Sequence, residues 1–422
     1  MKKYDEYKDS GVAWIGEVPK HWEVIKTSLA FQGIGSGTTP STSKKEYYDD
    51  NGNGKYWLQT GDLEDGIVYD TSKKVSNIAI KECNLTFYPI DSIIIAMYGA
   101  TIGKVGILGI ESATNQACCV IPVTKKQIAK YFFYEFLACK PALLIAAIGG
   151  GQPNISQDTI KKLKIVIPPI NEQTAIAAYL DTHCAKIDNL ISIQQKRIAL
   201  LQELKQSVIT HAVTKGLNPN VEMKQSGVEW IGDVPKHWEY CRFKDFMLLQ
   251  TTASNSNNKI GLENIESRSG RFIYTGSEFE GNGIAFSNQD IIYGKLRPYL
   301  QKVWLATFDG NAVGDFFVFR MKSNSCPSFV KYLMLSDGYT KETDGSTIGA
   351  KMPRVSSDFI LTMHYCLPPI TEQAAIASYL DRKCATIDTS ISNAQHQIDL
   401  LQEYKQSLIT EVVTGKRKVT DN

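Results

Sequence analysis

The sequence predicts an α+β chain in which two mixed α/β domains alternate with two long helices, the whole forming an internal pseudo-twofold repeat. Two duplicated stretches predict it. Residues 10–23 (SGVAWIGEVPKHWE) return as 226–239 (SGVEWIGDVPKHWE), identical at 12 of 14 positions with an offset of 216. Residues 168–214, which open PPINEQTAIAAYLD, return as 368–414 with 30 of 47 positions identical at an offset of 200. The third observation is what does not repeat: the inserts 24–148 and 240–348 share little and differ in length by 16 residues. A constant frame around variable inserts predicts one task performed on two different targets. The predicted divisions are 1–167 for the first α/β domain, 168–216 for the first repeated helix, 217–367 for the second domain, 368–415 for the second helix and 416–422 for a tail.

Within the first insert, apolar runs at 92–98, 105–110 and 118–123 predict strands, and 129–147 predicts a helix. In the second, 290–293, 302–306 and 316–321 predict strands and 328–335 a shorter helix. Gly149-Gly150-Gly151 and 347–349 act as breakers before the second shared frame, where Pro153, Ser156 and Asp158 recur as Pro353, Ser356 and Asp358.

The repeated helices carry apolar residues at alternating steps of four and three. The first seam runs Leu180, Cys184, Ile187, Ile191, Ile198, Leu201 and Val208, with Gln194 and Lys205 as polar interruptions. Its counterpart runs Leu380, Cys384, Ile387, Ile391, Ala394, Ile398, Leu401 and Leu408. Pro168-Pro169 and Pro368-Pro369 disfavour helix before them, while Lys215-Gly216 and Gly415-Lys416 are plausible stops. Each helix of roughly 40 residues would be a rod of about 60 Å. So narrow a stripe suits a helix-to-helix seam, and the two helices are expected to bury it against each other; packing of each on its own insert is the alternative.

Composition is ordinary for a globular chain, 43% hydrophobic and 21% charged. No apolar run reaches the roughly 18 residues of a membrane span, and the N-terminal MKKYDEYKDS has no apolar core, so neither a membrane nor secretion is expected. Nine cysteines without a CxxC pair predict neither a disulfide framework nor a zinc cluster, and a cytoplasmic setting. The net charge of +2 leaves room for a partner to supply phosphate contacts.

Gly33-Ile34-Gly35-Ser36-Gly37 spells GxGxG, but the Thr38-Thr39-Pro40 that follows is unsuited to a helix, so a flexible turn is expected rather than a cofactor loop. Gly103-Lys104 lacks the upstream Gly and following Ser or Thr of a phosphate loop. No catalytic constellation and no metal-ligand cluster emerges from spacing. His21 and His237, inside the repeated PKHW, are read as structural neighbours of Trp22 and Trp238. What does suit nucleic acid is a strand-and-turn stretch interleaving cations with aromatics: Lys295, Arg297, Tyr299 and Lys302, with Tyr98 and Lys104 in the corresponding place of the first insert.

The repeated GVxWIGxVPKHW, PPIxEQxAIAxYLD and LLQExKQSxIT together make the chain resemble, over nearly its whole length, the specificity subunit of Type I restriction-modification systems. That resemblance implies two target-recognition domains, each reading one half of a bipartite site in double-stranded DNA. It implies an antiparallel coiled coil that sets the gap between half-sites, with a seam of Leu180, Ile187, Ile191, Ile198, Leu201 and Val208 on one helix and Leu380, Ile387, Ile391, Ile398, Leu401 and Leu408 on the other. It implies two modification subunits bringing S-adenosylmethionine and restriction subunits bringing ATP and Mg-dependent chemistry, with no cofactor and no catalysis in this chain. A related system whose single partner both cuts and methylates, and a non-DNA adaptor built on paired helices, are the alternatives.

Overall fold

The computed structural model describes residues 3–49, 53–147, 153–255, 258–349 and 351–419. The expected breaker at Gly149-Gly150-Gly151 lies outside them. Four helices carry the architecture: α1 (Ala129–Ile145), α2 (Ile170–Lys215), α3 (Pro327–Met334) and α4 (Ile370–Val413). The chain divides into two compact units, Met1–Ile193 with Gln397–Asn422, and Gln194–His396, so each unit holds the start of one long helix and the end of the other.

In the first unit a five-stranded sheet has the order Gly35–Ser36, Cys118–Ile121, Ile93–Ala96, Val105–Leu108, Gly66–Val68, antiparallel except for the last pair. Its central strand is apolar at every position because both faces are covered. Ile93 and Ile95 join Val105, Ile107, Cys119 and Ile121 in a core with α1, whereas Ile94 and Ala96 face Leu58, Leu63, Tyr88 and Leu108. The expected turn at Gly33 to Gly37 is instead an edge pairing, Gly35 opposite Val120 and Ser36 opposite Cys119. Glycine is needed there for close approach: a Cβ on Gly37 would fall 1.7 Å from the Thr114 carbonyl oxygen.

The second unit contains a sheet ordered Met247–Gln250, Phe316–Met321, Ile291–Gly294, Val303–Leu305, all antiparallel. A second sheet is ordered Ala253–Ser254, Gly283–Phe286, Gly310–Ala312, Lys259–Ile260. Ile291, Tyr293, Val303 and Phe319 pack towards α3, and Ile292, Trp304 and Val318 pack towards Phe286 and Ile260.

The duplicated motifs close on each other within each unit. Glu172, in the first turn of α2, accepts from Tyr4 Oη (2.8 Å) and Trp22 Nε1 (3.1 Å) and lies 2.7 Å from His21 Nε2. Glu372, in the first turn of α4, accepts from Trp238 Nε1 (3.2 Å) and lies 2.7 Å from His237 Nε2. The neighbouring glutamines fasten the domain helices: Gln173 accepts from the Ile128 amide just before α1, and Gln373 from the Cys326 amide just before α3. Asp181 then accepts from Tyr134 (2.9 Å), and Asp381 from Tyr332 (2.7 Å). One shared segment, PPIxEQxAIAxYLD, therefore orients the entry motif and the insert together.

Among the described residues no helix is long and apolar enough to cross a membrane.

Candidate nucleic-acid interface

The turn that follows Ile291–Gly294 in the second unit is tied to the 353–355 segment. The Arg297 amide donates to Pro353 O (2.8 Å), the Val355 amide donates to Lys295 O (3.2 Å), and Leu296 bridges Arg354. This brings Lys295, Arg297 and Arg354 onto two hydrogen-bonded segments, with Lys351 two residues before Pro353 in the chain. Asp315 pairs with two of these cations. Arg354 forks onto it, Nε to Oδ1 3.1 Å and Nη2 to Oδ2 2.9 Å, and Lys295 Nζ is 3.7 Å away. The Arg354 hydrogen bond holds the Asp315 carboxyl below its ordinary range, so it stays ionised. Lys295 also lies over the Phe317 ring at 5.6 Å. Arg297 and Lys351 are exposed, and among the described residues neither side chain has a partner. Tyr299 is 41% exposed on the same turn.

Lys302 points the other way. Its ammonium donates to Leu262 O (2.6 Å) and Ile265 O (2.7 Å), and burial lowers it from its ordinary value. Lys104 in the first unit likewise donates to Leu63 O (2.9 Å). Both ammonium groups brace a short 3-10 turn, Thr60–Asp62 in one unit and Leu262–Asn264 in the other. Tyr98 is half-buried and bridges Asn154. Sequence reasoning thus named Lys295, Arg297 and Tyr299 on the exposed turn, together with two lysines that the structure turns inward. Arg354 and Lys351, on the adjoining segment, were not singled out in the sequence. The signal was there: in the recurring Pro-x-x-Ser segment, Arg354 stands where the first half has Asn154.

Of the seam residues, Leu180, Ile187, Leu380, Ile387, Ile398 and Leu408 are buried, and Ile191, Ile198, Leu201, Val208, Ile391 and Leu401 are half-buried. In the first unit Leu180, Ile187 and Ile191 share a core with Leu401, Leu408 and Val412. In the second, Val208, Ile209 and Val213 share one with Ile376, Leu380 and Cys384. Lys205, expected as a polar interruption, is buried with its ammonium on Asp388. Among the described residues no group of three or more His, Cys, Asp or Glu is placed to hold a metal ion.

Residues 19–203 match the family model of the Type I restriction modification DNA specificity domain. The Type I restriction enzyme MjaVIII specificity subunit of Methanocaldococcus jannaschii is 25% identical over 431 residues, covering 95% of this chain and 94% of that one. Residues 19–203 are thus a Type I restriction-modification DNA specificity domain. Another Type I specificity subunit, MjaIX of the same organism, is 24% identical over 99% of this chain and 97% of its own length. Among solved structures, a chain described in work on complex assembly and conformational transition of the type I R-M system superposes with a TM-score of 0.69 at 12% identity, over 94% of this chain and 98% of that one. The HsdS subunit from Thermoanaerobacter tengcongensis superposes at 0.51, also at 12% identity, over 95% and 98%. Both solved chains share the fold of this chain.

Proposed function

We propose that this specificity subunit recognises double-stranded DNA with two unlike reading domains, 1–167 and 217–367, each engaging one half of a bipartite site. The observation that carries this reading is the exposed turn of the second unit and the 351–355 segment tied to it, where among the described residues Arg297 and Lys351 have no side-chain partner while Asp315 compensates Arg354 and Lys295. Cations left uncompensated on a braced turn suit phosphates and guanine edges. Arg297, Tyr299 and Lys295 are its proposed DNA-facing residues. Tyr98 occupies the related turn of the first unit; Lys104 and Lys302 act as braces behind the two turns.

The long helices pair antiparallel through their seams and set the spacer between half-sites. Support comes from within each unit, where the beginning of one long helix shares a core with the end of the other. Because duplex DNA turns once per about 10.5 base pairs, a fixed separation also fixes rotational phase. Chemistry belongs to partners acting in the cytoplasm: two modification subunits using S-adenosylmethionine, and restriction subunits using ATP and Mg. A net charge of +2 fits a reader whose grip on phosphate is completed by those partners.

The test is duplex binding by the full chain assembled with its modification subunits, titrated across salt. Sequence-selective binding that weakens steeply with salt is expected. Salt-independent binding, or none, favours the adaptor reading.

A further inference from the structure

Two turns with one hydrogen-bond frame differ in what they display. In the first unit the Ala96 amide donates to Lys104 O, the Ile102 amide to Gly99 O, and the Ile155 amide to Met97 O. In the second, the Gly294 amide donates to Lys302 O, the Leu300 amide to Arg297 O, and the Val355 amide to Lys295 O. Tyr98 bridges Asn154 as Leu296 bridges Arg354. Gly99 and Arg297 therefore occupy the same place, and so do Gly103 and Gln301. All four have positive φ: 83° and 75° at the glycines, 52° at Arg297 and 48° at Gln301. The frame demands a left-handed backbone there, which glycine adopts freely and a residue with a Cβ adopts only under strain.

The two strained residues differ in what accounts for them. Gln301 is buried, and its side chain donates to Thr340 Oγ1 (2.9 Å) and accepts from Gln206 (3.4 Å), so internal contacts explain it. Arg297 is exposed, and among the described residues its guanidinium touches no partner. A Cβ at Gly99 would meet nothing within 4 Å, so the position itself is open. Arg297 carries backbone strain with no internal return, on a turn pinned at its amide by Pro353 O and at its carbonyl by Leu300.

We propose that Arg297 is a specificity-determining residue of the second recognition domain, its guanidinium presented to guanine in the major groove of the second half-site. This deepens the DNA-recognition reading and rests on it. A phosphate contact needs charge alone, which Lys351 supplies without strain, whereas bidentate recognition of guanine O6 and N7 needs a planar fork held in a fixed direction. The pinned left-handed turn supplies that direction.

The test uses the full chain assembled with its modification subunits, selecting from a duplex pool randomised across the site. Arg297→Gly is expected to unfold at or above the wild-type temperature, because strain is relieved, and to lose about ten-fold or more of its preference for guanine at one position of the second half-site. Arg297→Lys is expected to lose the same preference while keeping its charge. A glycine variant with unchanged selectivity overturns the proposal, as does a uniform loss of affinity with preferences intact, which marks a phosphate contact. A fall in unfolding temperature for the glycine variant also overturns it, because Arg297 would then be structural. A wild-type complex without sequence preference overturns the parent reading and this inference with it.

Discussion

Lys205 Nζ sits 2.8 and 2.9 Å from the two carboxylate oxygens of Asp388, joining the later part of the first long helix to the earlier part of the second inside one unit. In the other unit Lys405 holds Asp188 the same way, at 2.7 and 2.8 Å. Each partner lies 200 residues from its counterpart. The two pairs differ in their surroundings: side-chain exposure is 10% and 27% for Lys205 and Asp388, against 29% and 53% for Lys405 and Asp188. An ion pair screened by water contributes little, whereas breaking a less exposed one leaves a charge without compensation. Lys205→Ala is expected to destabilise the chain by about 1–3 kcal/mol, and Lys405→Ala by under about 1 kcal/mol. Denaturant unfolding of the two variants compares them; equal losses would contradict the burial argument.

Glu172 and Glu372 are the hubs that join entry motif to helix. Glu172 gathers three side chains and is 11% exposed, while Glu372 gathers two and is 27% exposed. Replacing the acceptor-only carboxylate by an amide puts N–H groups against donors. Glu172→Gln should cost about 1–3 kcal/mol, with a smaller loss for Glu372→Gln, read as shifts in unfolding midpoint.

Glu135 of α1 is fully buried, accepting from the Val166 amide (2.8 Å) and facing Tyr131. Burial pushes its carboxyl up to about 8 from an ordinary 4.5. A raised folded-state value means the folded chain holds the proton over a range where the unfolded chain has released it. Stability from this group is therefore full below about pH 4.5 and falls by up to about 1.4 kcal/mol per pH unit as pH rises towards 8. Glu135→Gln keeps an acceptor for Val166 and removes the titration. Its unfolding midpoint should match wild type near pH 4.5 and exceed it at pH 8; parallel curves would show that Glu135 is ionised throughout.

Much of this arrangement was legible in the sequence because its signals are local and periodic. The heptad steps from Leu180 to Val208 and Leu380 to Leu408 mark residues that are buried or half-buried, and the run Phe316–Met321 is a strand over the same residues. What escaped depends on contacts far apart in the chain. His21 and Trp22 lie 151 and 150 residues from the carboxylate that holds them. Gly33 to Gly37 looked like a free turn because nothing nearby announces Thr114. Lys104 and Lys302 resemble exposed cations until the carbonyls of Leu63 and Leu262 come round to meet them. Arg354 was missed because the Asp315 that orients it is 39 residues away.

Lengthening the helices tests the proposed spacing role. Adding the same few residues after Leu201 and Leu401 should change the number of base pairs between half-sites and leave both half-sites unaltered. Mapping of methylated bases in DNA modified by the assembled complex gives the answer, and an unchanged gap would argue against the helices as spacer.

The most direct test of two separate readers on a common frame replaces residues 24–148 by the corresponding insert of another Type I specificity subunit and determines the methylated sequence genome-wide. One half-site is expected to change while the other half-site and the gap between them persist. Alteration of both halves, or of neither, would contradict that expectation.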